Sequence, residues 1–236
     1  SDLFLTWDDI CENKLHFHRY RMQSKVILVT TLALIVLPAL FFFFVDFGTL
    51  PLGERIQVAL FQSVTPRTAG FNTVDISGMS GASLSLIILL MLIGGSPGST
   101  AGGIKTTTLA VLLGNAVATF RQRDSVQFFG RRVECHAVKT AATILTMYLA
   151  LFFLGGVFIS VYENLPMSSC LYEAASAVGT VGLSLGITPH LHIPSQMVLI
   201  ALMYLGRVGG LTLIYAAVST KKNGNGKLPQ EKITIG

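Results

Sequence analysis

The chain has 236 residues, 51% of them hydrophobic and 12% charged, with a mean hydropathy of +0.63 and a formal net charge of +5. That balance excludes most soluble architectures and is that of a membrane protein. At about 1.5 Å of rise per residue, a hydrocarbon core of about 30 Å takes roughly 20 apolar residues per crossing, so there is room for four spans with their connections and not for twelve.

Four apolar runs follow in chain order. The first is 26–45, bounded by Lys25 and Asp46. The second is 84–93, which passes a glycine-rich interruption and resumes at 106–119. The third is 141–161, between Lys139 and Glu163, and the fourth is 197–218, with Arg207 near its middle. Between the first and second runs, and again between the third and fourth, lie two shorter segments, 54–64 and 168–178. Each is about eleven residues long, too short to cross, and reads as a re-entrant half-helix.

The halves repeat at an offset of 112 residues, which pairs Thr68 with Thr180, Gly70 with Gly182, Met91 with Met203 and Gly94 with Gly206. The repeating unit is span, half-helix, loop, span, present twice. The sequence thus divides into a segment 1–25, repeat one 26–119, a linker 120–137, repeat two 138–219 and a tail 220–236.

Thirteen of the 17 lysines and arginines lie before the first span, between the second and third, or after the fourth. The positive-inside rule makes those segments, and both termini, cytoplasmic, so the net charge calls for no nucleic acid. Asp46, Glu54, Asp75, Glu163 and Glu173 fall on the opposite side and would concentrate cations at that mouth. The chain opens on Ser1 with no charged-then-apolar signal segment, which reads as a fragment or a processed start. Cys11, Cys135 and Cys170 lie far apart, and neither they nor the five histidines stand at metal-ligand spacing. A membrane enzyme would need a nucleophile, base or metal cluster, and no such grouping is present.

A short loop follows each half-helix, Thr68-Ala69-Gly70-Phe71-Asn72 in the first repeat and Thr180-Val181-Gly182-Leu183-Ser184 in the second. Irregular backbone at membrane depth is tolerated where it is buried or lines water, and the negative C-terminal end of a half-helix favours a cation. Glycine permits the positive φ that turns carbonyls toward an axis, where they can replace the hydration shell of a monovalent cation. Either loop alone reads better as a glycine-centred turn ending a buried helix; two loops at one offset between spans favour a selectivity filter.

Three stretches carry a resemblance: Thr65-Pro66-Arg67-Thr68-Ala69-Gly70-Phe71-Asn72, the run from Gly94-Gly95-Ser96-Pro97-Gly98 through Ser99-Thr100-Ala101-Gly102-Gly103-Ile104-Lys105, and Gly206-Arg207-Val208-Gly209-Gly210. Over essentially its whole length the chain resembles the C-terminal half of a membrane subunit of the Ktr/Trk/HKT superfamily of potassium transporters. The resemblance implies an all-α polytopic membrane protein, with two tandem span, pore-helix, span repeats of a potassium-channel-like fold. These would form half of a four-repeat, pseudo-tetrameric pore, the other two repeats preceding Ser1 in a longer chain.

The resemblance further implies K+ at the backbone carbonyls of Thr68, Ala69, Gly70, Thr180, Val181 and Gly182, with Phe71 and Leu183 completing the filter loops. The gate would be the intramembrane loop of Gly94, Gly95, Pro97, Gly98, Gly102, Gly103 and Lys105, with Arg207 as an electrostatic barrier or tether beneath the filter. Five glycines and a proline between 94 and 103 are in any case incompatible with a regular helix, although Gly98 and Gly102 are also spaced as a close-packing helix face. The implied partners are a cytosolic ring of nucleotide-binding regulatory subunits, a second copy of the subunit in a homodimer, and the lipid bilayer of the bacterial plasma membrane. Potassium is the implied cargo, with sodium as a coupling or activating ion. An ion-coupled alternating-access carrier and a non-conducting scaffold are the competing readings.

Overall fold

The computed structural model describes residues 20–208. Its elements in chain order are α1 (Met22–Val45), α2 (Leu52–Val64), α3 (Gly81–Leu92), α4 (Thr106–Phe120), β1 (Gln127–Phe128), β2 (Arg131–Arg132), α5 (Cys135–Glu163), α6 (Met167–Val178) and α7 (Ile193–Val208), with 3-10 turns at Ile76–Gly78 and Thr188–His190. The basic segments before residue 20 and after residue 208, with Gly209, Gly210 and the end of the fourth apolar run, lie outside the described residues.

Among the described residues, two helices are long and apolar enough to cross a membrane, α1 at 24 residues and α5 at 29, with mean hydropathies of 2.8 and 2.3. The second apolar run is two helices, α3 and α4, of 12 and 15 residues. The third begins six residues earlier than its apolar stretch, at Cys135, because nothing between Cys135 and Ala141 breaks a helix. The fourth begins at Ile193 rather than Met197.

Proline and left-handed residues punctuate the helices. Pro51 and Pro166 stand immediately before α2 and α6, where φ near −57° and −55° leads an extended chain into the first turn. Asn164 ends α5 in the left-handed conformation, φ 54°. Asp46, just past α1, accepts from the Ser80 N–H at 3.0 Å and from the Ser83 hydroxyl, tying the end of α1 to the start of α3. The 112-residue offset also relates the two 3-10 turns and the first residues of α3 and α7.

Helix α6 lies at the centre of the core, packed against α3, α5 and α7. Its residues Tyr172 to Val178 are all buried, and three of them, Ala174, Ala175 and Ala177, are small enough to let neighbouring backbones approach. Gly155 and Gly156 do the same on α5: a Cβ there would meet the tips of Leu202 and Leu171 at 2.5 Å. Outward, Leu37, Phe44, Leu154 and Val161 are about 70% exposed, an apolar exterior suited to lipid.

The 120–137 linker departs from all-α. Phe129 and Gly130, both at positive φ, form the two-residue turn of a hairpin that pairs Gln127 with Arg132 and Phe128 with Arg131. The Phe128 ring fits against Gly114 of α4, where a Cβ would lie 2.4 Å from it. Phe129 is exposed, with the Lys25 ammonium 5.6 Å from its ring centre.

Candidate functional site

Helix α2 ends at Val64 because the chain turns back on itself, the N–H groups of Ala69 and Gly70 both donating to the Thr65 carbonyl. Thr65 is buried, and its hydroxyl donates to the Phe71 carbonyl at 2.5 Å. Within this turn Thr68 and Gly70 take φ of 67° and 74°. A threonine in the left-handed region costs about 1–2 kcal/mol, a strain that persists only where the surroundings impose it. Ala69 and Phe71 are exposed.

The second loop is built in parallel fashion. Thr180 and Gly182 have φ of 53° and 91°, the Val181 N–H donates to the Ser176 carbonyl at 2.9 Å, and the Gly182 N–H donates to the Ser176 hydroxyl at 3.1 Å. Val181 and Leu183 are buried, anchoring the loop from behind, while Gly182 is exposed. The two loops meet backbone to backbone: a Cβ on Gly70 would lie 2.1 Å from the Val181 carbonyl oxygen. Around Gly182 there is open space instead. A cavity of about 730 Å³ borders the second loop, lined among others by Glu173, Thr180, Gly182, Met203 and Arg207.

The loop between α3 and α4 folds directly against this site. Its two ends pair, Gly94 N–H donating to the Ile104 carbonyl and Ile104 N–H to the Leu92 carbonyl, both at 2.9 Å. Gly98 and Gly103 are at positive φ, and Gly94 has room for no side chain, since a Cβ would stand 1.8 Å from the Gly102 carbonyl. Gly102 in turn sits under Thr180, its virtual Cβ 2.3 Å from the threonine hydroxyl. Gly95 and Pro97 belong to the same loop, and the Arg67 guanidinium reaches the Gly94 carbonyl at 3.4 Å.

The charged residues take distinct surroundings. Lys105 donates to the Ala101 carbonyl at 2.5 Å and the Ser99 carbonyl at 3.5 Å, which ties the lysine to the loop. Arg207 is exposed and lines both the upper cavity and a second one of about 490 Å³ bounded by Gly102, Lys105 and Tyr148. Of the five acids expected at the opposite mouth, Glu54 and Asp75 are exposed, Asp46 bonds to α3, and Glu163 takes the N–H and ring Nδ1 of His192 at 2.9 and 2.7 Å. Glu173 is 4% exposed, because its carboxylate turns inward to accept three hydrogen bonds from residues 184–188. The available signal for it was a lone acid in an alanine- and serine-rich helix.

A family model described as TrkH, cation transport protein, matches residues 14–226. The potassium/sodium uptake protein NtpJ of Enterococcus hirae is 38% identical over 247 residues, covering 99% of this chain and 54% of the relative. The Ktr system potassium uptake protein B of Bacillus subtilis is 32% identical over 234 residues, covering 97% of this chain and 52% of the relative. The crystal structure of the potassium transporter TrkH from Vibrio parahaemolyticus matches with a TM-score of 0.72 at 20% identity, over 92% of this chain and 48% of that one, a likeness of fold. The chain spans about half the length of the curated relatives it matches.

Proposed function

Because this chain belongs to the TrkH family of cation transport proteins, we propose that it is part of the translocating subunit of a gated potassium uptake system. Dehydrated K+ passes backbone carbonyls of Thr68, Ala69, Gly70, Thr180, Val181 and Gly182, and no covalent chemistry is involved. The observation that carries this reading is the contact of two glycine-centred loops, each at positive φ and each at the C-terminal end of a short helix. Such ends carry partial negative charge, and left-handed backbone redirects the carbonyls, both of which suit a monovalent cation.

On this reading 26–119 and 138–219 are two copies of one pore-forming unit, which the common offset of the 3-10 turns and of α3 and α7 supports. Helices α2 and α6 are the pore helices, and two further units complete a four-fold filter. The 94–105 loop is the gate: it lies against Thr180, and Lys105 holds it closed through the Ser99 and Ala101 carbonyls. Arg207, bordering both cavities, sets the electrostatic barrier below the filter. The subunit resides in a bacterial plasma membrane with both termini cytoplasmic, pairs with a second copy, and takes its regulation from a cytosolic nucleotide-binding ring. Sodium acts as a coupling or activating ion.

The test is potassium uptake by uptake-deficient cells expressing the complete gene product, unaltered or with Gly182→Ser. The unaltered protein restores uptake, and the serine variant loses preference for potassium over sodium. Unchanged ion competition in a membrane-inserted variant contradicts the filter assignment.

A further inference from the structure

Within the chain as described, one buried charge has no place in the pore scheme above. Glu173 sits in the middle of α6, 4% exposed, on the wall of the 730 Å³ cavity beside Gly182. Its Oε1 accepts from the Ser184 hydroxyl at 2.7 Å and the Leu185 N–H at 2.9 Å, and its Oε2 accepts from the Thr188 hydroxyl at 2.8 Å. Ser184 passes the restraint on, its hydroxyl oxygen accepting from the Gly186 N–H at 2.9 Å. One carboxylate thus grips the whole stretch that leaves Gly182, at 184, 185 and 188. A buried carboxylate is costly unless fully bonded, so this network has one low-energy arrangement and is stiff.

The first loop lacks the device. At the 112-residue offset Glu173, Ser184 and Thr188 correspond to Phe61, Asn72 and Ile76, two of them apolar, and that loop is held by the Thr65 hydroxyl on the Phe71 carbonyl instead. Only the middle position stays polar in the first half, where Asn72 accepts from the Val74 N–H at 3.3 Å as Ser184 does from the Gly186 N–H; the carboxylate and the second hydroxyl that join the loop to the helix are found in the second half.

We infer that Glu173 is a positioning residue for ion selection: its carboxylate fixes the outer edge of the Gly182 loop through its bonds to residues 184, 185 and 188. The inference rests on the filter reading. Carbonyl spacing around Gly182 decides which dehydrated cation is matched, and the segment that Glu173 grips begins two residues beyond that glycine.

The experiment measures, in uptake-deficient cells expressing the complete gene product, the KM for potassium and the sodium concentration that halves potassium uptake. Glu173→Ala removes bonds and charge together and is expected to lower the potassium-to-sodium preference on the order of tenfold, about the worth of one charge-assisted hydrogen bond. Glu173→Gln can remake the bonds and keeps only part of the loss, about threefold. A residue that merely helps the chain fold would reduce maximal uptake for both ions and leave the ratio of the two constants alone. Should Glu173→Ala fail to reach the membrane, the double variant Ser184→Ala, Thr188→Val releases the same grip from the half-exposed side, and its preference must fall. The control Glu134→Gln, an exposed acid just before α5, keeps the wild-type ratio. Wild-type ratios in the Glu173 variants and the double variant, with a changed ratio in Gly182→Ser, overturn this inference and leave the filter standing. Wild-type ratios in all of them, Gly182→Ser included, overturn the filter itself.

Discussion

Alanine at Gly70 and alanine at Gly182 are the same chemical change at paired positions, yet the structure makes them unequal. At both sites the new residue must adopt a positive φ, 74° or 91°, which costs about 1–2 kcal/mol for a residue with a Cβ. At Gly182 that is the whole cost, since no atom lies within 4 Å of the added carbon. At Gly70 the carbon would stand 2.1 Å from the Val181 carbonyl oxygen, so the two loops must part by about 1 Å to restore van der Waals contact. Overpacking of that kind adds about 1–3 kcal/mol, giving about 2–5 kcal/mol for Gly70→Ala against about 1–2 for Gly182→Ala. Because the displaced atom is itself a proposed ion ligand, Gly70→Ala also loses more potassium preference. Thermal unfolding of the detergent-solubilised complete protein, with ion competition in cells, reads both effects. Equal losses at the two sites would show that the loops do not touch as described, and the argument would fail with that contact.

Two further outcomes are expected. Replacing Lys105 by Met removes the ammonium from the Ala101 and Ser99 carbonyls; bonds to a charged group contribute about 1.5–3 kcal/mol, so potassium flux without the regulatory ring should rise about ten- to a hundredfold. Flux as low as in the unaltered protein would remove Lys105 from the gate, and deletion of 98–103 offers the stronger form of the same test. Tyr148→Phe removes the buried hydroxyl that donates to the Gly206 carbonyl at 3.2 Å, and should destabilise the protein by about 0.5–1.5 kcal/mol, seen as a lowered Tm with ion preference unaltered.

How much of this was legible beforehand follows from the range over which each feature is determined. Apolar runs and the glycines and proline of 94–103 act on their own few residues, so the helices and the break between α3 and α4 can be read from composition. Helix ends are less legible: α5 extends back to Cys135 through a stretch of mixed polarity that contains neither glycine nor proline to stop it. The hairpin at 127–132 escaped notice because its strands are two residues long and its turn is Phe-Gly, a weak signal beside Asn-Gly. The partners of the acids are not legible in sequence. A carboxylate looks alike in sequence whether it faces water or a ring of donors, and only the fold distinguishes Glu54 from Glu173.

By itself, then, the sequence determined what local chemistry dictates: a membrane-embedded helical chain, glycines where the backbone turns left-handed, and a broken helix that cannot be continuous. Tertiary structure decided which atoms those features face. That Gly70 rests on Val181, Gly102 on Thr180, Lys105 on the loop carbonyls and Glu173 on Ser184 to Thr188 depends on segments brought together by the packing of α6 against α3, α5 and α7. Such contacts join residues up to about a hundred positions apart, and close packing admits few of the many pairings that composition allows.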